Sequence, residues 1–489
     1  MRHKVLLAVA LAALMATPAF AAVQNVKVSG SIDSTYINRQ HFGLGQREGA
    51  QPWGVEDIGL VDQSVFVTQT TLRVDADLSD NVSTTVGLIN ERAWGAETTA
   101  GHNDTGTEVN LYLAYATMRE FLYSPLTVSV GRQYFGYGNG LIIGEDGVNN
   151  VAVGPLGTVA ADFTKRTTYD GVKATLDYKP LTIDLLYFKN LEGVTTGVAN
   201  ANKDDSDVYG INANYQLGDT YNSVVEGYLF TRFTGDNDAV LNGGASDKGD
   251  QLYVPGLRVS TNPIKGLNTQ AELAWQFGRK GATNLGVGGP AGGDNIRRDA
   301  MAAQFMATYT LPVLEQYKPV ASVSYTHVSG DKNAASHRDP GGSAGTHAAS
   351  EEIYTAWDPF NETQGSGTIY NTLFDLTNMN IFALGLQATP VQDVTASVVW
   401  SNLKADRKIS TLNPLIFRQP DGTIAGTAFA GATTSSKELG NEYDVNVNYA
   451  YTEDVTIGLS LGWFFPGATF DSVNDTVASQ ALAHVNVNF

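Results

Sequence analysis

Residues 480–489 read Q-A-L-A-H-V-N-V-N-F. Ala481, Ala483, Val485, Val487 and Phe489 share one parity, His484, Asn486 and Asn488 sit between the last of them, and only Leu482 breaks the alternation. A period of two marks a β-strand with one apolar and one polar face. A half-exposed strand in water does not need to finish on an aromatic residue. A strand with one face on lipid and the other on a wet lumen alternates in this way.

The same signature recurs upstream. Leu267, Thr269, Ala271, Leu273, Trp275 and Phe277 oppose Asn268, Gln270, Glu272 and Gln276. Tyr443, Val445, Val447, Tyr449 and Tyr451 oppose Glu442, Asp444, Asn446 and Asn448. Val455, Ile457, Leu459, Leu461, Trp463 and Phe465 oppose Thr456, Ser460 and the less polar Phe464. The apolar sets belong on lipid and the opposing sets in a lumen. Eighteen strands are expected, near 26–38, 64–78, 82–94, 108–121, 126–137, 168–178, 181–190, 206–217, 222–233, 251–261, 267–279, 299–311, 319–330, 378–389, 391–403, 440–451, 455–465 and 480–489. Short turns such as Ser79-Asp80-Asn81, Lys179-Pro180 and Asn262-Pro263 alternate with long polar connections, the longest being 331–377. A soluble all-β protein also buries one face of each strand, but it has no reason to put every long loop on one rim. The predicted class is therefore all-β, a transmembrane antiparallel β-barrel, closed because an unpaired edge cannot face hydrocarbon.

Composition agrees. The chain carries 50 acidic and 31 basic residues, which makes nucleic acid an improbable partner. Cysteine is absent, which removes disulfides, thiolate metal sites and cysteine nucleophiles. Glycine is abundant at 51 residues, beside 22 Tyr and 20 Phe, a mixture suited to crowded strands and aromatic membrane rims. Arg2, His3 and Lys4, the apolar run 5–15 and Ala19-Phe20-Ala21 read as a signal peptide over 1–21. That leaves 22–489 as one barrel domain.

Parity nominates the lumen side chains. Lys173, Asp177, Glu226, Arg232, Glu272, Glu442 and Asp444 are expected to line a pore, together with Asn212, Asn214, Gln270 and Gln304. A water-filled bore relieves the cost of burying them and lets opposite charges pair. Each either wets and braces the wall or forms part of a filter. Residues 131–138 read G-R-Q-Y-F-G-Y-G. Strict alternation from Val128 and Val130 sends Arg132 to lipid, at about 2–4 kcal/mol at the midplane. Either it lies near the interface or the strand bulges and turns it inward; the glycines favour the bulge, and an inward Arg132 is expected.

The insertion 331–377 holds His337, His347, Glu351, Glu352, Trp357, Asp358 and Phe360. The two histidines do not have a zinc-site spacing. Trp357-Asp358-Pro359-Phe360 either folds back into the lumen or caps the barrel outside. The acidic segments 202–207 and 235–238 match no full calcium loop and read as solvated. No nucleophile elbow, zinc helix, phosphate loop or dinucleotide fingerprint stands in a supporting context, so no catalytic residue, metal or cofactor is expected.

Two sets of residues carry a resemblance. The G-R-Q-x-x-G-Y-G segment, then 438–444 (E-L-G-N-E-Y-D) and 462–467 (G-W-F-F-P-G), are similar to the bacterial alginate-export outer-membrane family. The terminal Phe489 likewise resembles the end of outer-membrane barrels that the insertion machinery reads. The likeness covers most of the barrel in layout and a few short motifs in sequence. It implies a monomeric eighteen-stranded channel with long external loops. Members that export alginate have an arginine-rich constriction, and Arg132 is the motif arginine that carries over. This chain departs in charge, because an acidic bore repels a polyuronate. The expectation is an outer-membrane porin passing hydrophilic solutes, with a carbohydrate or polysaccharide among the candidates. The alternative is a plugged barrel that acts as a surface binding or structural protein. Expected partners are outer-membrane lipid, lipopolysaccharide, the insertion machinery and the solute.

Overall fold

The computed structural model describes residues 25–44, 62–95, 109–144, 160–191, 205–235, 249–280, 296–332, 353–363, 367–409, 417–418, 424–426, 436–470 and 475–489. The signal-peptide reading, His337, His347, Glu351, Glu352 and most of the acidic segments 202–207 and 235–238 lie outside these residues.

Eighteen strands form the wall. They are β1 (Asn25–Gln40), β2 (Gln63–Ser79), β3 (Val82–Ala93), β4 (Asn110–Met118), β5 (Leu126–Gln133), β6 (Tyr169–Asp177), β7 (Leu181–Leu191), β8 (Ser206–Gln216) and β9 (Val224–Thr234). The second half comprises β10 (Asp250–Ile264), β11 (Leu267–Lys280), β12 (Ile296–Thr310), β13 (Val320–Val328), β14 (Met379–Val391), β15 (Val394–Ala405), β16 (Glu438–Ala450), β17 (Val455–Pro466) and β18 (Ala478–Asn488). Each pairs antiparallel with its neighbour in sequence. β18 returns to β1 with Ser31 opposite Asn488 and Gln40 opposite Ser479, which closes the cylinder. At the seam Phe489 and Gly30 exchange backbone hydrogen bonds of 2.9 and 3.0 Å. A two-residue strand, Ile353–Tyr354, pairs in parallel with the start of β12, Arg297 and Arg298. All nine long connections emerge at one rim; the eight short ones, with the described ends of the chain, lie at the other.

The strands obey the alternation that the sequence implies. On β11, Leu273, Trp275 and Phe277 are 43%, 46% and 48% exposed, whereas Glu272 and Gln276 are 3% and 1% exposed. An outward face this apolar and this exposed needs lipid rather than water. Tyr443, Tyr449, Ile457, Leu459 and Phe465 continue the outward band on β16 and β17. Phe66 stacks on Trp94 and meets Tyr36 at a tilt on its outer part.

One expectation about the inside changes. The wall does not enclose a uniformly wet lumen. Phe188, Val208, Phe230, Leu252, Val254, Ala302, Val328 and Ile381 point inward near the long-loop rim and are buried. They meet Phe135, Ile142, Trp357, Phe360, Tyr370 and Phe374 from the loops, so the outer half of the barrel holds a packed apolar core. These strands break simple apolar-out alternation because both their faces meet apolar matter.

The lipid face supplies a test. Leu273→Arg, at the middle of β11, should lower stability in lipid vesicles by about 2–4 kcal/mol. Ser324→Arg, inward on β13, should change it much less. Urea unfolding of the two variants from vesicles measures the difference.

Candidate functional site in the barrel lumen

The site begins where β5 ends. The sequence suggests a strand running to 137, but the chain leaves the wall after Gln133 and dips into the barrel. The glycines of the 131–138 motif therefore serve an inward turn. Gly138 has φ +58° and packs so closely that a Cβ there would lie 3.0 Å from Arg258 Cδ. Leu141, Ile142 and Ile143 follow, buried.

The described segments 353–363 and 367–378 of the insertion between β13 and β14 also fold inward, so Trp357-Asp358-Pro359-Phe360 enters the lumen and does not cap it. The two loops pair. Asn361 N–H donates to Ile142 O (3.0 Å), Gly144 N–H to Asn361 O (2.8 Å) and Thr363 N–H to Gly140 O (2.7 Å). A third segment, 160–167, lines the wall near β1 to β3.

Two of the three inward segments are anchored to the wall by ionic or polar contacts, the β13–β14 insertion twice and 160–167 once. Asp358 meets Arg298 at 2.7 Å, Lys280 at 3.0 Å and Arg232 at 3.3 Å, cations from three different strands. Gln276 clamps the same residue, accepting from Asp358 N–H (2.8 Å) and donating to Asp358 O (2.6 Å). Burial alone would raise this carboxyl, but the charges of Lys280, Arg298 and Arg232 outweigh burial and hold it well below the usual carboxylate range. Arg232 also donates to Pro359 O at 3.0 Å and lies over the Phe360 ring.

The second anchor is anionic. Glu442, 0% exposed, accepts from the backbone N–H of Thr368 (2.6 Å), Ile369 (2.8 Å) and Tyr370 (2.7 Å). Asp444, two residues along the same face, accepts from the Thr368 hydroxyl at 2.7 Å. The third anchor joins Arg39 to Asp162 and Arg166 to Glu91 (2.9 Å). Buried charges without such partners are costly, so these sites fix where the loops sit.

Below the loops runs a belt of inward side chains. The strand registers place Thr182, Asn214, Glu226, Arg258, Glu272 and Gln304 side by side across β7 to β12. Arg258 donates to Glu226 (3.1 Å) and to Gln270 (2.6 Å); the Tyr228 hydroxyl donates to Glu272 (2.6 Å). Next to this row stand Asp184 and Asn212, opposite each other on β7 and β8. Tyr137, descending from the first loop, completes a cavity of about 350 Å³ bounded by Thr182, Asp184, Asn212, Glu226 and Arg258. Burial, and then the charge of Asp184, push the Tyr137 hydroxyl far above an ordinary phenol, so it stays protonated.

The sequence-nominated residues separate into groups. Glu226 and Glu272 belong to the belt. Arg232, Glu442 and Asp444 hold loops. Lys173 and Asp177 stand inward on β6, with Asp177 at its short-turn end. Arg132 corrects the expectation of an inward arginine. The β5 and β6 registers run without a bulge from Leu126 opposite Leu176 to Gln133 opposite Tyr169. Alternation therefore carries Arg132 outward, to the face of the exposed Val130 and Val172. Asp170, directly opposite, takes its charge through bonds of 3.1 and 2.5 Å. The nearby bulge lies between β3 and β4 instead.

Sequence reasoning missed Arg258, Asp184, Lys280 and Arg298. Arg258 and Arg298 share the parity of acceptors already nominated on adjacent strands, but seeing this requires the strand register. Of the acidic segment 202–207, Asp205 and Asp207 pair with Lys189, each at 3.2 Å. Among the described residues no group of three His, Cys, Asp or Glu is placed to hold a metal ion.

A closed eighteen-stranded barrel with a lipid-facing apolar band, loops folded into its lumen and a polar belt beneath them defines an outer-membrane porin. Residues 38–484 match the alginate export family, and the chain belongs to it. Its fold recurs in solved porins. OpdK of Pseudomonas aeruginosa is 10% identical with TM-score 0.54, over 96% of this chain and 99% of that one. A BenF-like porin of Pseudomonas fluorescens Pf-5 is 12% identical with TM-score 0.52, over 96% and 100%. OccK2 (OpdF) of P. aeruginosa, solved in complex with glucuronate, is 12% identical with TM-score 0.50, over 96% and 98%. No curated protein matches the chain in sequence. The protein resides in the outer membrane, in contact with its lipids, and its relatives are transport porins rather than enzymes.

The Asp358 anchor predicts a pH response. A depressed carboxyl contributes stability above the ordinary Asp range and loses it only as pH falls through the depressed value. The corrected hydrogen-exchange protection of the Trp357 amide, which bonds Ser329 O at 2.8 Å, should thus persist from neutral pH through about pH 4 and fail only in stronger acid. Asp358→Asn, which leaves three cations facing a neutral amide, should cost about 3–5 kcal/mol of docking at neutral pH. Protection should fall at Trp357 while the strands keep theirs.

The outward Arg132 predicts the opposite of a filter residue. Arg132→Ala should leave the reversal potential across a salt gradient unchanged. A shifted potential would return Arg132 to the bore.

Proposed function

We propose that this chain is a porin for small hydrophilic solutes, with selection where the anchored loops meet the polar belt. The observation that carries this reading is the 350 Å³ cavity, walled by charged and amide side chains directly beneath the loops. Below it the inward faces carry hydroxyls and amides, among them Ser260, Asn268 and Ser324. Such a wall replaces the hydration of a polyol without binding it too tightly to leave. Glu226 and Glu272 set the local charge. Lys173 and Asp177 line the way to the periplasm. Arg232, Glu442 and Asp444 act indirectly, by holding the loops that narrow the bore.

A carbohydrate of one or two rings suits this geometry better than a polymer. A polysaccharide would need both inward loops to leave, and with them the buried ion pairs of Asp358. OccK2 was solved with glucuronate, a single sugar acid; that likeness is one of fold, and the mixed charge of this belt does not specify an anion.

The second reading is a plugged barrel that presents its outer rim to a partner. The apolar core shared by loops and wall favours it. Single-channel recording of the refolded protein in a planar bilayer separates the two. A porin should show a small, stable conductance with cation preference, larger in Asp358→Ala. A folded, inserted protein that conducts in neither form is a plugged barrel.

A further inference from the structure

Acceptors outnumber donors in the belt cavity. Among the described residues Arg258 is the one cation on its wall, and its guanidinium is already engaged by Glu226 (3.1 Å), Gln270 (2.6 Å) and Asn139 (3.4 Å). Asp184 accepts from the Thr175 hydroxyl at 2.5 Å and has no ion pair among the described residues. Lys173, the next inward cation on the neighbouring strand, makes no ion pair with it. Asn212, opposite Asp184 and only 5% exposed, lines the cavity with its Oδ1 unpartnered. Glu272, just beyond the lining, adds a carboxyl group whose Oε2 is also without a partner. The charged groups on the lining itself are Asp184 and Glu226 against Arg258, which leaves it net negative.

We infer that the belt cavity binds a sugar-sized solute carrying both hydroxyls and a protonated amine, the chemistry of an amino sugar. The inference names the solute class of the porin reading and rests on the same cavity. An ammonium group supplies the cation that Asp184 lacks and a donor for Asn212 Oδ1. Ring hydroxyls match Thr182 and Asn214, and the Tyr137 ring offers a flat wall to the apolar face of a sugar. At about 350 Å³ the cavity lies at the small end of ligand pockets, which run from roughly 300 to 1,000 Å³. A neutral sugar of the same size leaves Asp184 without a counter-charge, and a uronate meets net negative charge.

The test compares glucosamine, glucose and glucuronate on the refolded full barrel at about pH 6, where the amine is protonated. Two readouts are taken: block of single-channel current, and calorimetric binding in detergent micelles. Glucosamine should bind about tenfold more tightly than glucose, equivalent to about 1.4 kcal/mol, with glucuronate weakest. Asp184→Asn, which keeps the shape of the side chain, should bring glucosamine and glucose near parity, with barrel folding checked by heat-modifiable mobility. Equal binding of the three sugars, a preference for glucuronate, or a preference that survives Asp184→Asn would each overturn the inference. An open channel without the preference would leave the porin reading standing. A preference seen by calorimetry in a barrel that does not conduct would support the site and remove the porin reading.

Discussion

Every backbone N–H and C=O that lies in hydrocarbon must find a partner within the protein, and the structure depends on that demand. An open sheet of eighteen strands would present two rows of unpaired groups to lipid. The pairing of β1 with β18 removes both, drawing the described ends of the chain together at the short-turn rim. Once closure is required, alternation decides the rest. One parity meets acyl chains and the other meets whatever fills the bore.

What fills the bore differs along its axis. In the outer half much of the inward parity is apolar, and the loops bring apolar side chains to match it. In the inner half the inward parity is polar and faces solvent. The loops are thus held by two kinds of force: non-directional burial of Trp357, Phe360, Ile369 and Phe374, and a few directional anchors that fix register. Burial of such side chains contributes about 1.5–3 kcal/mol each, ample to keep a loop inside but indifferent to its rotation. The charges around Asp358 and the carboxylate of Glu442 supply the missing orientation.

Much of the wall was legible in the sequence because period-two patterning is a local property. Trp275 with Glu272, and Tyr443 with Glu442, declare their faces within a few residues. The strand number and the sorting of long and short connections follow from the same signal. The lumen was harder to read because it is assembled from contacts distant in sequence. Asp358 meets Arg232, Lys280 and Arg298, and no local pattern links those four. Arg132 illustrates a different failure. Its lipid cost argued for an inward turn, but the cost is met by Asp170 on the next strand, a partner visible only once the β5–β6 register is known. The glycines beside it were a real signal of irregular backbone, belonging to the inward loop that begins after Gln133.

The backbone bonds between 140–144 and 361–363 tie together two loops that leave the wall after β5 and after β13. Neither can swing out alone without breaking the strand-like pairing that satisfies the other. Segments 140–144 and 361–363 consequently form one body, reached from two distant points on the rim. Any widening of the bore by their departure is then a cooperative, all-or-none event, and the channel would pass between discrete levels rather than through a continuum of partial openings.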